Sequence, residues 1–93
     1  MANQIVFDNK ARIALDTLQP EERKKVSDVI YSLVNFPDPS CLLDKNIAKL
    51  KNLNDYFMAR AGNQYRVFFR YQEPEVIITD IIHRDTLHAL KAM

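Results

Sequence analysis

Two strand-forming runs joined by a proline turn constrain this chain more than any other feature. Tyr65-Arg66-Val67-Phe68-Phe69-Arg70-Tyr71 alternates apolar residues with arginines, the period-2 pattern of a strand with one face in a core. Val76 to Ile82 is β-branched and almost unbroken, and reads as a central strand covered on both sides. Gln72-Glu73-Pro74-Glu75 separates them. Proline fixes φ and cannot extend an inner ladder, so the two runs should form an antiparallel hairpin. With Glu73 and Pro74 at its tip, Arg66 falls opposite Ile81, Phe68 opposite Thr79, and Gln64 opposite His83. Arg66, Phe68, Arg70, Thr79 and His83 would then share one face. Tyr65, Val67, Phe69, Ile78 and Ile82 would share the core face. The first set, with Arg84 just beyond the strand, is a cationic wall with an aromatic floor, suited to a phosphodiester and a stacked base. The same register puts Asp80 on the core face opposite Val67, where a charge needs a partner. Arg60 or a tyrosine hydroxyl would have to serve.

The first half of the chain supplies what covers such a sheet. Gln4 to Phe7 is a short apolar run and a first strand. Asp8 or Asn9 can cap a following helix, whose stripe is Ala11, Ala14, Leu15 and Leu18. Pro20 opens a second helix, with Glu21 and Glu22 favourable near its N-terminus. Val26, Val29, Ile30, Leu33 and Val34 form its apolar stripe, and Phe36-Pro37-Asp38-Pro39 ends it. These make an αα-hairpin. Ser40 to Ala48 reads as an irregular connection. Tyr56 to Ala61 reads as a strand, with a turn at Gly62-Asn63, where the only glycine in the chain suggests a positive φ. A two-residue turn would put Arg60 on the core face with Tyr65; a bulge would bring it to Arg66. Thr86 to Ala92 suggests a short terminal helix. The expectation is one small α+β domain over residues 1–93, in the order β-α-α-β-β-β(-α), its antiparallel sheet carrying the αα-hairpin on one face.

Composition narrows the function classes. The single cysteine, Cys41, excludes an internal disulfide and fits a reducing cytoplasm. The opening MANQIVFDNK lacks a charged segment followed by an apolar run, so no signal peptide is expected. No apolar stretch reaches membrane-spanning length, so no membrane partner is expected. His83 and His88 lack a second cluster to complete a metal site, and one glycine cannot build a phosphate loop, so neither a metal nor another cofactor is expected. The net charge is only +1, but it is unevenly placed. Lys49, Lys51, Arg60, Arg66 and Arg70 stand against Asp55 alone between positions 49 and 70, whereas positions 1–48 hold six basic and seven acidic residues. The candidate phosphate- and RNA-binding residues are therefore Lys49, Lys51, Arg60, Phe68 and Arg70, around Arg66, His83 and Arg84. A solvated strand face remains the ordinary alternative for Arg70, and a solvated edge for the lysines.

Lys49-Leu50-Lys51-Asn52-Leu53, then Arg60-Ala61-Gly62-Asn63-Gln64-Tyr65-Arg66-Val67, then Ile81-Ile82-His83-Arg84-Asp85 together resemble the RelE/ParE toxin superfamily. That superfamily carries a K-L-K-G-L-like lead, an R-x-G-x-Y-R-V core and a terminal H-R pair. The resemblance covers nearly the whole chain. It implies the toxin of a type II toxin–antitoxin system, partnered by a cognate antitoxin and acting on mRNA at the ribosome. The RelE-like branch is an endoribonuclease that works without metal, the ribose 2′-OH attacking the adjacent phosphate to leave a cyclic phosphate. By motif position, the resemblance implies Arg66 and Arg84 at the phosphate and His83 as a candidate acid or base. His88 stands four residues after Arg84, where many relatives place a tyrosine, and is a second candidate. Two departures stand out: one extra residue between Gly62 and Tyr65, and Phe57 and Ala59 where active relatives often have lysines. The alternatives are a ParE-like inhibitor of DNA gyrase, and a catalytically degenerate homologue that only binds a partner protein.

Overall fold

The computed structural model describes residues 3–36, 47–50 and 55–86. Strand β1 (Gln4–Phe7) leads into helices α1 (Asn9–Asp16) and α2 (Pro20–Ser32), and α2 tightens into a 3₁₀ turn at Leu33–Asn35. Strands β2 (Ile47–Lys49), β3 (Tyr56–Ala61), β4 (Tyr65–Gln72) and β5 (Glu75–His83) follow. Residues 84–86 begin a helical turn; the remainder of the expected terminal helix lies outside the described residues. The sheet order is β1-β5-β4-β3-β2. The expected α+β architecture is present. Two details differ: β1 runs parallel to β5 at one edge, and β2 forms an additional antiparallel edge strand on β3, within a stretch whose sequence reads as a connection. A three-residue edge strand with two exposed positions carries no alternation long enough to be seen in sequence.

The apolar stripes of the helices meet one face of this sheet. Ala11, Val26, Ile30 and Leu33 pack with Ala59, Val67, Phe69, Val76 and Ile78, all essentially inaccessible to solvent. Burying such side chains contributes about 1.5–3 kcal/mol each, which is why the strand pattern and the helix stripes specify one another. Phe36 stands edge-on to Phe57, Phe69 and Tyr71, with centroids 5.0, 5.2 and 5.1 Å away. Asn3 secures the end of α2 from the side. Its Nδ2 donates to the carbonyls of Leu33 and Phe36, and its backbone N–H to Val34, satisfying acceptors that a helix C-terminus leaves free. Arg23 does the same for α1, donating to the carbonyls of Asp16 and Leu18 at 3.1 Å. Neither Asp8 nor Gln19 makes a side-chain cap bond, so α2 begins with proline at its first turn and Glu21 and Glu22 beside it.

The β4–β5 hairpin turns at Glu73-Pro74, whose peptide bond is cis, with Gln72 paired to Glu75. From there to Phe69 opposite Ile78 the register follows the sequence expectation. Between Phe68 and Phe69 it shifts: Phe68 pairs with Asp80, Val67 with Ile81, Arg66 with Ile82 and Tyr65 with His83. Thr79 is the extra residue of a β-bulge. Every residue of β5 beyond it therefore lies on the face opposite to the one expected. Ile81 enters the core, while Asp80 and Ile82 leave it. The far side of β5 is only half-buried at Ile77 and Ile82, so the strand is not covered on both faces.

Candidate nucleic-acid interface

The face of the sheet turned away from the helices is organised in cross-strand rows. Tyr56 pairs with Arg70, Met58 with Phe68, and Arg60 with Arg66 across β3 and β4. On β5 these rows continue through Ile77, Asp80 and Ile82. The turn after β3 uses three residues, 62–64, with Gly62 at φ 65°, a backbone region that side chains disfavour. That longer turn decides the open question about Arg60: it lies directly opposite Arg66 on the open face.

Arg66 is half-buried, and its Nη1 donates to the carbonyl of Tyr65 at 2.9 Å. Burial, and then the guanidinium groups of Arg60 and Arg84, lower its pKa from the ordinary arginine value. Three arginines thus share one end of the sheet: Arg60 pairs with Arg66, and the Arg84 N–H donates to the Gln64 carbonyl at 2.7 Å just beyond them. Among the described residues no carboxylate forms an ion pair with Arg60 or Arg66, and Arg84 has only Asp85, at 3.8 Å. A cluster of like charges whose one counter-ion is a distant, exposed carboxylate is a site whose free energy falls when an anion enters. Phe68 lies one row further along the open face, edge-on to Tyr56 with centroids 6.4 Å apart.

Other expected members stand elsewhere. His83 pairs with Tyr65 and meets its ring edge-on at 5.1 Å, so it faces the helices and not Arg66. The bulge accounts for this correction, since one extra residue exchanges His83 for Arg84 on the arginine face. Nδ1 of His83 accepts the backbone N–H of Asp85 at 3.1 Å. Tyr65 in turn has its phenol raised in pKa by burial and then by Glu22 of α2. Lys49 pairs with Phe57 and so belongs to the helix side of the sheet edge, away from Arg66. Arg70 is on the open face but bonds Asp55 at 3.3 Å, a carboxylate that Gln72 also holds at 3.0 Å. Lys51 and His88 lie outside the described residues. Phe57 and Ala59 point to the core, so lysines there would not reach the arginines. The open-face neighbours on β3 are Tyr56 and Met58.

Lys10, Tyr56 and Asp80, absent from the sequence-based site, shape this face together with Thr79. Asp80 pairs with Lys10 of α1 at 3.0 Å and accepts the backbone N–H of Ile81 at 2.9 Å. Thr79 Oγ1 donates to the Phe68 carbonyl at 3.2 Å and also meets the Tyr56 hydroxyl. The signal for them in sequence was the charge of Asp80 assigned to a core position: a register that buries a lone carboxylate is the wrong register.

Solved structures share this architecture. The RelB–RelE antitoxin–toxin complex from Methanococcus jannaschii aligns with a TM-score of 0.71 at 22% identity, over 91% of this chain and 96% of that one. A RelBE-type toxin–antitoxin complex from Mycobacterium tuberculosis aligns with a TM-score of 0.71 at 26% identity, over 90% and 100%. The isolated RelE toxin of E. coli aligns with a TM-score of 0.71 at 16% identity, over 98% of both chains. No protein-family model and no curated protein sequence matches the chain.

Proposed function

By fold the chain belongs to the RelE-like toxin superfamily, and from that premise we propose that it is the toxin of a type II toxin–antitoxin pair, an endoribonuclease cutting mRNA on the ribosome. The observation that carries this reading is the arginine cluster on the open face. Arg60 and Arg66 are cross-strand partners, Arg84 follows at the same end of the sheet with its N–H on the Gln64 carbonyl, and Phe68 lies in the next row.

In the proposed reaction the ribose 2′-oxygen attacks the adjacent phosphorus. The bond from phosphorus to the 5′-oxygen breaks, leaving a 2′,3′-cyclic phosphate and a 5′-hydroxyl that has taken up a proton. Negative charge accumulates on the equatorial phosphoryl oxygens, and fixed guanidinium groups stabilise it without reorganising. Arg66 and Arg84 fill that role, with Arg60 beside them, and Phe68 offers a stacking surface for a neighbouring base. His83, on the helix side, supports the turn that carries Arg84. Proton transfer falls to His88, four residues beyond Arg84, with the ribosome completing the site. The antitoxin would cover the sheet or displace the chain after Arg84.

Induced expression of wild type and Arg66→Ala in bacteria tests the reading. Growth arrest with cuts in translated mRNA is expected for wild type and loss of both for the variant. Equal arrest by both would count against the nuclease, and a DNA-damage response with intact mRNA would point to a gyrase inhibitor. A second reading rests on Tyr56 and Met58: with no lysine on the open side of β3, phosphate contacts are few, as in a homologue that only binds a partner. Purified protein that binds an antitoxin but leaves programmed ribosomes uncut would favour it.

A further inference from the structure

The bulge in β5 decides which side chain meets Arg66. Without it, continuous pairing from Phe69 opposite Ile78 would place Phe68 opposite Thr79, Arg66 opposite Ile81 and Gln64 opposite His83. His83 would then stand on the arginine face and Arg84 would turn towards the helices. With it, Arg66 is opposite Ile82, and the ladder runs on past Tyr65–His83 to Arg84, whose N–H donates to the Gln64 carbonyl at 2.7 Å, so alternation from Ile82 sets Arg84 on the face of Arg66 and Arg60. The two registers bury similar apolar groups, because Ile81 and Ile82 exchange places. They differ sharply at position 80. The continuous register would put the Asp80 carboxylate into the core beside Val67, away from Lys10.

Resting on the nuclease reading, we propose that Asp80 is a positioning residue: together with Lys10 and the Tyr56–Thr79 hydroxyl pair, it locks the bulged register that presents Arg84 to the scissile phosphate. The lock has three parts. Asp80 Oδ2 lies 3.0 Å from Lys10 Nζ, and its Oδ1 takes the N–H of Ile81 at 2.9 Å. Thr79, the residue without a cross-strand partner, is clasped by its bond to the Phe68 carbonyl and by the Tyr56 hydroxyl. Asp80 touches neither Arg66 nor the phosphate they would hold. It acts through the strand.

The test compares Asp80→Val and Asp80→Asn in the full chain. Valine is at home in either register. Asparagine still resists burial and can still accept the Ile81 N–H. Register is read by nuclear Overhauser contacts between the Tyr65 and His83 rings, present in the bulged form and lost in the continuous one. Phosphate contact is read from the salt dependence of binding to a short single-stranded RNA, where one lost contact lowers the slope by about 0.7. Asp80→Val is expected to lose the ring contact, to lower the salt slope by that amount, and to cut ribosomal mRNA about 10²-fold more slowly. Asp80→Asn keeps the ring contact. Deleting Thr79 provides the control if Asp80→Val folds poorly. With the extra residue gone, a continuous ladder itself pairs Phe68 with position 80, so Asp80→Val in that background should retain the ring contact and the slope. An Asp80→Val chain with the Tyr65–His83 contact and salt slope intact overturns the proposal, as does a deletion background that fails to rescue it. A wild-type chain that leaves mRNA uncut counts against the nuclease reading alone, since the ring contact reports register without catalysis.

Discussion

Arg60 and Arg66 are direct partners across β3 and β4, two like charges at paired positions where opposite charges would favour the fold. Like charges in this position destabilise a sheet by about 0.2–1 kcal/mol. Arg60→Gln is therefore expected to raise the midpoint of urea unfolding while weakening binding to single-stranded RNA. Added sodium sulfate should narrow the stability difference, because salt screens the repulsion and sulfate can occupy the cluster. An Arg60→Gln chain no more stable than wild type at low salt would show that the pair carries no strain.

Phe68 and Phe69 are adjacent in sequence and sit on opposite faces of β4. Phe69 is fully buried and stacks on Phe57 at 5.5 Å, so Phe69→Ala should cost about 3–5 kcal/mol in denaturant unfolding. Phe68→Ala should cost much less stability. Its expected loss is in RNA affinity, about 1–3 kcal/mol if a base stacks there. The two variants separate folding from binding at neighbouring positions.

The same alternation explains how far the sequence could be read. Helix stripes such as Val26, Val29, Ile30 and Leu33 and the proline hairpin carry their own periodicity, and the structure has them at those positions. The bulge does not announce itself, because Thr79 is β-branched and continues a run of strand formers. One unmarked residue moved Asp80 and Ile82 out of the core face, and His83 onto the Tyr65 side. The length of the β3–β4 turn had the same effect on Arg60. Faces beyond an irregularity are set by packing and burial cost, which only the folded arrangement reveals.

Asp55 ties the start of β3 to the end of β4. The hydrogen bond from Gln72, then the charge and hydrogen bond of Arg70, hold its carboxyl below the ordinary value of 3.8 against an opposing effect of burial. A depressed folded pKa contributes stability that is present above the unfolded value and lost as pH falls through the folded one. Gln72→Ala should move the Asp55 titration upward towards 3.8, observed in its carboxyl carbon shift. It should also flatten the acid-side loss of stability below that pH.

His83 and Arg84 are neighbours assigned to opposite faces, and single substitutions can tell them apart. Arg84→Ala removes a guanidinium from the cluster around Arg66. It should reduce ribosomal mRNA cleavage by about 10²–10³-fold and lower the salt slope of RNA binding by about 0.7. His83→Ala removes the edge contact with Tyr65 and the acceptor for the Asp85 N–H. Its cost should fall on stability, about 1 kcal/mol, with the salt slope unchanged. A lowered slope for His83→Ala would place the imidazole at the phosphate after all, and would mean that the pairing of Tyr65 with His83 is not the register that binds RNA.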